Sequence, residues 1–230
     1  MEKIPAFVAL DLETTGLDFE KDEIIEVALV RFENGEPKEN LDFLVKPSSA
    51  ELRPFIETLT GISKADLDES PDFATIAGQI CSFIGDLPIV AHNAQFDSKF
   101  LKQTFTKVGI SYDTHVFWDS LTLSRIAFQK VPNHRLDTLV QELEIERSRA
   151  HRALPDADAC GRLFVKALEK ISSMDPWLFD ALSKVAKGSG YESLFATNVE
   201  SLASPKYSLP AVPAQESLPK SRAPRVSEFF

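Results

Sequence analysis

The sequence predicts an α/β fold: a mixed central sheet flanked by helices, with three antiparallel strands first and a disordered C-terminal tail. Three observations carry this. Two strand-like apolar stretches are followed by Asn34-Gly35, the strongest short hairpin signal, and then by a third such stretch. Beyond residue 70, apolar residues recur at helical spacing in successive segments around one short apolar strand. Residues 204–230 are rich in proline, serine and alanine and carry little periodic hydrophobicity.

The elements follow in chain order. "PAFVALDLETTGL" reads as a core strand whose end, marked by carboxylates, Thr14-Thr15 and Gly16, opens into a site. "EIIEVALVRF" is the second strand and "LDFLVKP" pairs back on it as the third. "LTGISKADL" turns into a short helix, and Ser70-Pro71 opens another, with Phe73, Ile76, Ile80 and Phe83 on one face. "LPIVAHNA" is a short buried strand, followed by the helix "FDSKFLKQTFTKVG", stopped at Gly109. Asp119 has the position of an N-cap for "SLTLSRIAF", while "RLDTLVQEL" and "DADACGRLFVKALEKI" complete a helical second half. The expected organisation is a folded unit over 1–172, a helical extension over 173–203 containing "DPWLFDALSKVAKG", and the tail over 204–230.

At 230 residues the chain can bury one good core and an appendage. No apolar run reaches the roughly 20 residues that span a bilayer, and the N-terminus lacks the order of a signal peptide, so a cytoplasmic protein is expected. Cys81 and Cys160 lie in amphipathic helical patterns, where a buried thiol is the natural reading. The net charge of -10 argues against a general polyanion binder, because affinity for phosphates comes from lysines and arginines. The exception is a cleft in which carboxylates hold divalent cations that meet the phosphates.

Periodicity points to such a cleft. Side chains alternate along a strand, so Phe7, Ala9, Asp11 and Glu13 face one way and Val8, Leu10 and Leu12 the other. Asp97 is in helical register with Phe100, Leu101, Thr104, Phe105 and Val108, heading an apolar face. Asp156 shares its stripe with Cys160, Leu163, Phe164 and Ala167, whereas Asp158 lines up with Arg162, Lys166 and Glu169 on the wet side. Four acids are thus aimed inward, with no buried lysine or arginine evident among them. Clustered carboxylates repel one another and bind protons unless cations hold them together. An all-oxygen donor set suits Mg²⁺ or Mn²⁺, and two such ions about 4 Å apart assist phosphodiester displacement. His151, five residues before Asp156, is placed to take a proton from water. His92 and Asn93 end a strand beside Asp97 and could contact a substrate, His134 is expected to cap or pack at a helix start, and neither they nor His115 is expected to be catalytic. Glu26, inside "IIEVALV", is expected to be structural.

The stretches "VALDLETTGL", "VAHNAQFD" and "HRALPDADA", in this order and spacing, make residues 5 to 172 resemble the DEDDh branch of the DnaQ-like 3′-5′ exonucleases. That family includes the proofreading epsilon subunit of bacterial replicative polymerase. "LTGIS" and "WDSLTLSRIAF" are especially similar to exonuclease units of Gram-positive polymerases and DinG-type helicases. The resemblance implies a ribonuclease H-like fold and a metal-dependent exonuclease that releases nucleoside monophosphates from DNA 3′ ends in proofreading or repair. It implies two Mg²⁺ or Mn²⁺ held by Asp11, Glu13 and Asp156, with Asp97 acting mainly through water and His151 as general base. It further implies Thr14 at the terminal sugar, Leu17, Leu59 and Phe96 against its base or sugar, and Asn93 near the phosphate. The chain has Thr60 where those family members with a histidine in the "LTGIS" motif carry it, and Pro155 is a less usual neighbour of Asp156. Two alternatives stand beside this reading: an exoribonuclease trimming RNA ends, and a non-cutting nucleic-acid-binding or replisome adaptor module. Val226, Phe229 and Phe230 on the basic tail suggest docking on a polymerase or sliding clamp.

Overall fold

A computed structural model describes residues 4–48, 51–110, 115–186, 191 and 194 of the chain. Its centre is a five-stranded sheet in the order β3-β2-β1-β4-β5. Strands β1 (Phe7–Thr14), β2 (Ile24–Glu33) and β3 (Glu36–Leu44) form the antiparallel opening that the sequence predicts. Asn34 and Gly35 turn the β2–β3 hairpin with φ of 55° and 82°. Positive φ at both turn positions matches the right-handed twist of the flanking strands. β4 (Ile89–Ala91) then pairs with β1 in parallel, and β5 (Phe117–Asp119) pairs with β4 in parallel.

The helices are α1 (Pro54–Thr60), α2 (Lys64–Asp68), α3 (Phe73–Ile84), α4 (Ala94–Lys107), α5 (Ser120–Ala127), α6 (Leu136–Glu142), α7 (Ala153–Ser172) and α8 (Pro176–Ala186). Two elements differ from the sequence reading. The "LTGIS" region carries a second helix, α1, which ends at a left-handed Gly61 with φ of 70°. β5 was not predicted, because its three residues are too few to show alternation and only pairing with β4 defines it. The tail over 204–230, with Val226, Phe229 and Phe230, lies outside the described residues, and α8 falls within the expected extension.

Alternation along β1 divides the core in two. Phe7 and Ala9 join Ala28, Val30, Phe32, Trp118, Leu123, Cys160 and Phe164 under α5 and α7. Val8, Leu10 and Leu12 join Leu29, Ile76, Ile80, Phe100, Leu101 and Phe105 under α3 and α4. Phe7 stacks on Phe32 at 4.9 Å and meets Phe164 edge-on at 5.0 Å. α7 can lie this close to the sheet because its inner face is built of Ala153, Ala157, Cys160, Gly161 and Ala167. Among the described residues no helix is long and apolar enough to cross a membrane.

Candidate active site

Three elements meet where β1 ends. The odd-numbered face of β1 that carries Phe7 and Ala9 into the α7 core continues as Asp11 and Glu13, so the strand's pleat delivers two carboxylates to the rim. α4 contributes Asp97 from its first turn, 4% exposed, and α7 contributes Asp156 from its own first turn, 6% exposed. Oxygens of Asp11, Glu13 and Asp156 lie within 4.8 Å of one another. Asp97 stands outside that triad but lines the same cavity of about 760 Å³.

The electrostatics of this group is frustrated. Burial drives Asp11 far above the ordinary carboxylate range, and the charges of Asp97, Asp156 and Glu13 add to the effect. Glu13 is pushed up to about 7, first by burial and then by Asp156 and Glu26. Asp97 is raised by burial, reinforced by Asp119 and Glu13. No described residue donates a hydrogen bond to the carboxylates of Asp11 or Glu13. Half-buried carboxylates with no donors and acidic neighbours are a donor set suited to a hard divalent cation, so the residues present fit Mg²⁺ or Mn²⁺.

One expectation fails here. The sequence shows no buried base among the inward acids, yet Arg147 is 7% exposed and its Nε donates to Asp156 Oδ1 at 2.5 Å. Its Nη1 donates to Asp137 Oδ1 at 2.6 Å. Arg147 precedes α7 on a loop without periodicity, so no register argument could place it. The run "RSRAHR" inside an otherwise acidic protein was the available signal.

Asp156 Oδ2 accepts the backbone N–H of His151 at 3.1 Å. That bond accompanies a left-handed His151, φ 57°, which places its side chain on the cavity wall. Non-glycine residues avoid this region unless surrounding structure imposes it. The neighbour Arg152 supplies part of the constraint. Its guanidinium reaches Glu26 Oε1 at 2.6 Å, and Ala153 N–H reaches Glu26 Oε2 at 2.9 Å. Glu26 is wholly buried and pairs with Glu13 across β1 and β2. It therefore has the structural role expected of it and ties the start of α7 to the sheet.

Asn93 is also left-handed, φ 71°, where β4 turns into α4. Its N–H donates to Asp119 Oδ1 at 2.9 Å, and the same oxygen accepts Leu121 N–H at 3.0 Å. The predicted cap of α5 thus fastens the start of α4 as well. His92 is occupied on both sides: Nε2 donates to the His134 carbonyl at 2.9 Å, which leaves Nδ1 to accept from Ser120 Oγ at 2.9 Å. Burial lowers its basicity, consistent with that neutral form. His134 packs just before α6 through the Phe128 carbonyl, and His115 reaches the Gly85 carbonyl far along the chain.

Asp158 pairs with Arg162 at 2.8 Å on the outer side of α7 and does not line the acid cavity. Asn93 and Phe96 line that cavity and also border a smaller cleft with Leu17, which is 84% exposed. Thr14 is buried, its hydroxyl donating to the Gly16 carbonyl at 2.6 Å, and Leu59 is 38% exposed; neither lines the cavity or the cleft. The same cavity is lined by Arg125 and Arg135, which the sequence reading did not single out. Neither forms an ion pair among the described residues.

The RNase T family, described as Exonuclease, matches residues 8–164. The PolC-type DNA polymerase III of Caldanaerobacter subterraneus subsp. tengcongensis is 36% identical over 168 residues, covering 73% of this chain and 12% of the polymerase. The 3′-5′ exonuclease DinG of Bacillus subtilis is 34% identical over 169 residues, covering 73% of this chain and 18% of DinG. The chain therefore spans a small part of these relatives. E. coli exonuclease I, solved with a dT13 oligonucleotide, superposes with a TM-score of 0.63 at 24% identity, over 77% of this chain and 43% of that one. The fold is thus the ribonuclease H-like one of these nucleases.

Proposed function

Because this chain belongs to the RNase T family of DEDDh 3′-5′ exonucleases, homologous to the exonuclease domains of PolC and DinG, we propose that it is a metal-dependent enzyme hydrolysing terminal phosphodiester bonds of DNA. Its products would be nucleoside monophosphates and its setting proofreading or repair. The observation that carries the reading is the convergence of Asp11, Glu13 and Asp156 within 4.8 Å beside Asp97 and His151. Such a group has no structural use in a module that only binds.

Asp11, Glu13 and Asp156 would hold two Mg²⁺ or Mn²⁺, with Asp97 assisting through water. Bound there, such ions neutralise phosphate charge and acidify a water. His151 would serve as the proton acceptor through a ring nitrogen, and its backbone N–H on Asp156 Oδ2 keeps that residue beside the carboxylate. Arg125 and Arg135 attract the backbone phosphates that a chain of charge -10 would otherwise repel. Leu17, Phe96 and Asn93, which line the cavity or the adjoining cleft, are assigned to the terminal nucleotide, whereas Thr14 and Leu59 line neither and rest on the family resemblance alone. Exposed Leu17 and half-buried Phe96 on one cleft offer apolar surface for a base or sugar. DNA is favoured because the relatives include a DNA polymerase and the superposed nuclease was solved with an oligodeoxynucleotide.

The test is shortening of 3′-labelled single-stranded DNA, mispaired duplex and RNA in Mg²⁺ or Mn²⁺. Metal-dependent shortening of DNA is expected from the native chain and not from Asp11→Ala, with His151→Ala slower by about 10²–10⁴. Binding without shortening of any substrate would leave an adaptor module. Preference for RNA would make the protein an exoribonuclease.

A further inference from the structure

The acid cavity already contains a cation. Arg147 is nearly buried, its side chain 7% exposed, and both of its hydrogen-bond partners are carboxylates. Its Nε is on Asp156 Oδ1, and the other Asp156 oxygen is taken by His151 N–H. Among the described residues, Asp156 is consequently the one member of the triad whose two oxygens are both engaged, while Asp11 and Glu13 receive no donor. A divalent ion at the triad would share a carboxylate with a guanidinium, and like charges that close oppose each other.

The second anchor of Arg147 matters here. Leaving a buried guanidinium unpaired is costly. Asp137, 46% exposed on α6, holds Nη1 at 2.6 Å and would keep Arg147 paired after Asp156 is surrendered. The two carboxylates thus give the arginine a buried partner and an outer one.

We propose that Arg147 is a resident competitor for the metal: it occupies Asp156 in the metal-free protein, moves toward Asp137 when a divalent ion takes that carboxylate, and so sets metal affinity. This rests on the reading of Asp11, Glu13 and Asp156 as metal ligands. Arg147 is a positioning residue, since it acts on the site through Asp156. A guanidinium that instead stayed on Asp156 to orient it would have the opposite effect on affinity, and the sign decides between them.

Mn²⁺ binding to the full chain without nucleic acid, followed by calorimetry and by electron paramagnetic resonance of the free ion, gives that sign. Arg147→Met and Arg147→Gln are expected to bind Mn²⁺ about tenfold more tightly than the native chain. Arg162→Met, which removes the same charge from an outward pair, should bind as the native chain does. Equal or weaker binding by the Arg147 variants, or equal tightening by Arg162→Met, overturns the proposal. A second readout needs no variant to fold well beyond assigning a signal. In the native chain, the arginine Nε–H resonance that is absent from Arg147→Gln should shift and exchange faster as Mg²⁺ saturates. A resonance unmoved by Mg²⁺ overturns the proposal too. Native Mn²⁺ binding that Asp11→Ala abolishes but Arg147 variants leave unchanged defeats this inference alone. No Mn²⁺ binding by the native chain defeats the proposed function with it.

Discussion

Asp156 and Asp158 stand two positions apart on one helix and face opposite environments. Asp156 is 6% exposed among carboxylates, and Asp158 is paired outward with Arg162. Asp156→Asn should therefore abolish metal-dependent cleavage, and Asp158→Asn should leave the rate within about twofold, since its half-buried pair with Arg162 lies outside the acid cavity. Equal losses in a cleavage assay would refute the assignment. Glu13 gives a prediction for the metal-free protein. Its value of about 7 in the fold lies above the ordinary 4.5, so between these the folded chain retains a proton that the unfolded chain has lost. Glu13 thus makes stability fall as pH rises through that window. Urea unfolding of metal-free Glu13→Gln should show a fall between pH 5 and pH 7 that is smaller by about 1–3 kcal/mol. An unchanged slope would mean that Glu13 titrates normally. At this scale the sequence was informative wherever a strand or helix imposed periodicity, and it offered only the basic run "RSRAHR" for Arg147, whose loop has none.

Among the elements, α7 positions most of the site. It lies close to β2 because Gly161 has no side chain: a Cβ there would run into the Phe32 ring. Phe32 cannot give way, being fully buried and stacked on Phe7. Gly161→Ala should destabilise by about 1–2 kcal/mol, overpacking outweighing the better helix propensity of alanine. Gly78, exposed in α3, has open space at the same position, so Gly78→Ala should stabilise by up to about 1 kcal/mol. Thermal denaturation of both variants tests the contrast, and a shift of the same sign in both would refute it. The N-terminus of α7 is fixed from below by Glu26 through Arg152 and Ala153 N–H. Glu26 was legible as a misplaced acid in an apolar strand. Its partner was not, because the two are 126 residues apart.

Across the whole molecule, the topology creates the cavity. β1 runs antiparallel to β2 on one side and parallel to β4 on the other, so the change of direction falls at β1, whose end carries Asp11 and Glu13. α4 leaves β4 at that same end and α7 returns across it, bringing Asp97 and Asp156 to the rim. The cavity is also lined by Arg125 and Arg135, cations with no ion pair among the described residues. Replacing either with alanine in an uncleaving Asp11→Ala background should weaken single-stranded oligonucleotide binding. It should also lower the slope of log affinity against log salt by about 1. An unchanged slope would remove these arginines from the phosphate path.

The amino-acid sequence by itself determined the alternation of β1, the Asn34-Gly35 hairpin, the cap at Asp119 and the inward register of Asp97 and Asp156. Each is a local consequence of backbone geometry, with a period of two or 3.6 residues or a turn that demands positive φ. Tertiary structure alone decided β5, which exists only by pairing, and the charges that surround the acids: Arg147 on Asp156, Arg152 on Glu26, Arg125 and Arg135 in the cavity lining. Long side chains on loops and exposed helix faces leave no periodic trace. Their partners are set by which distant segments the folded sheet and its helices bring within a few ångströms.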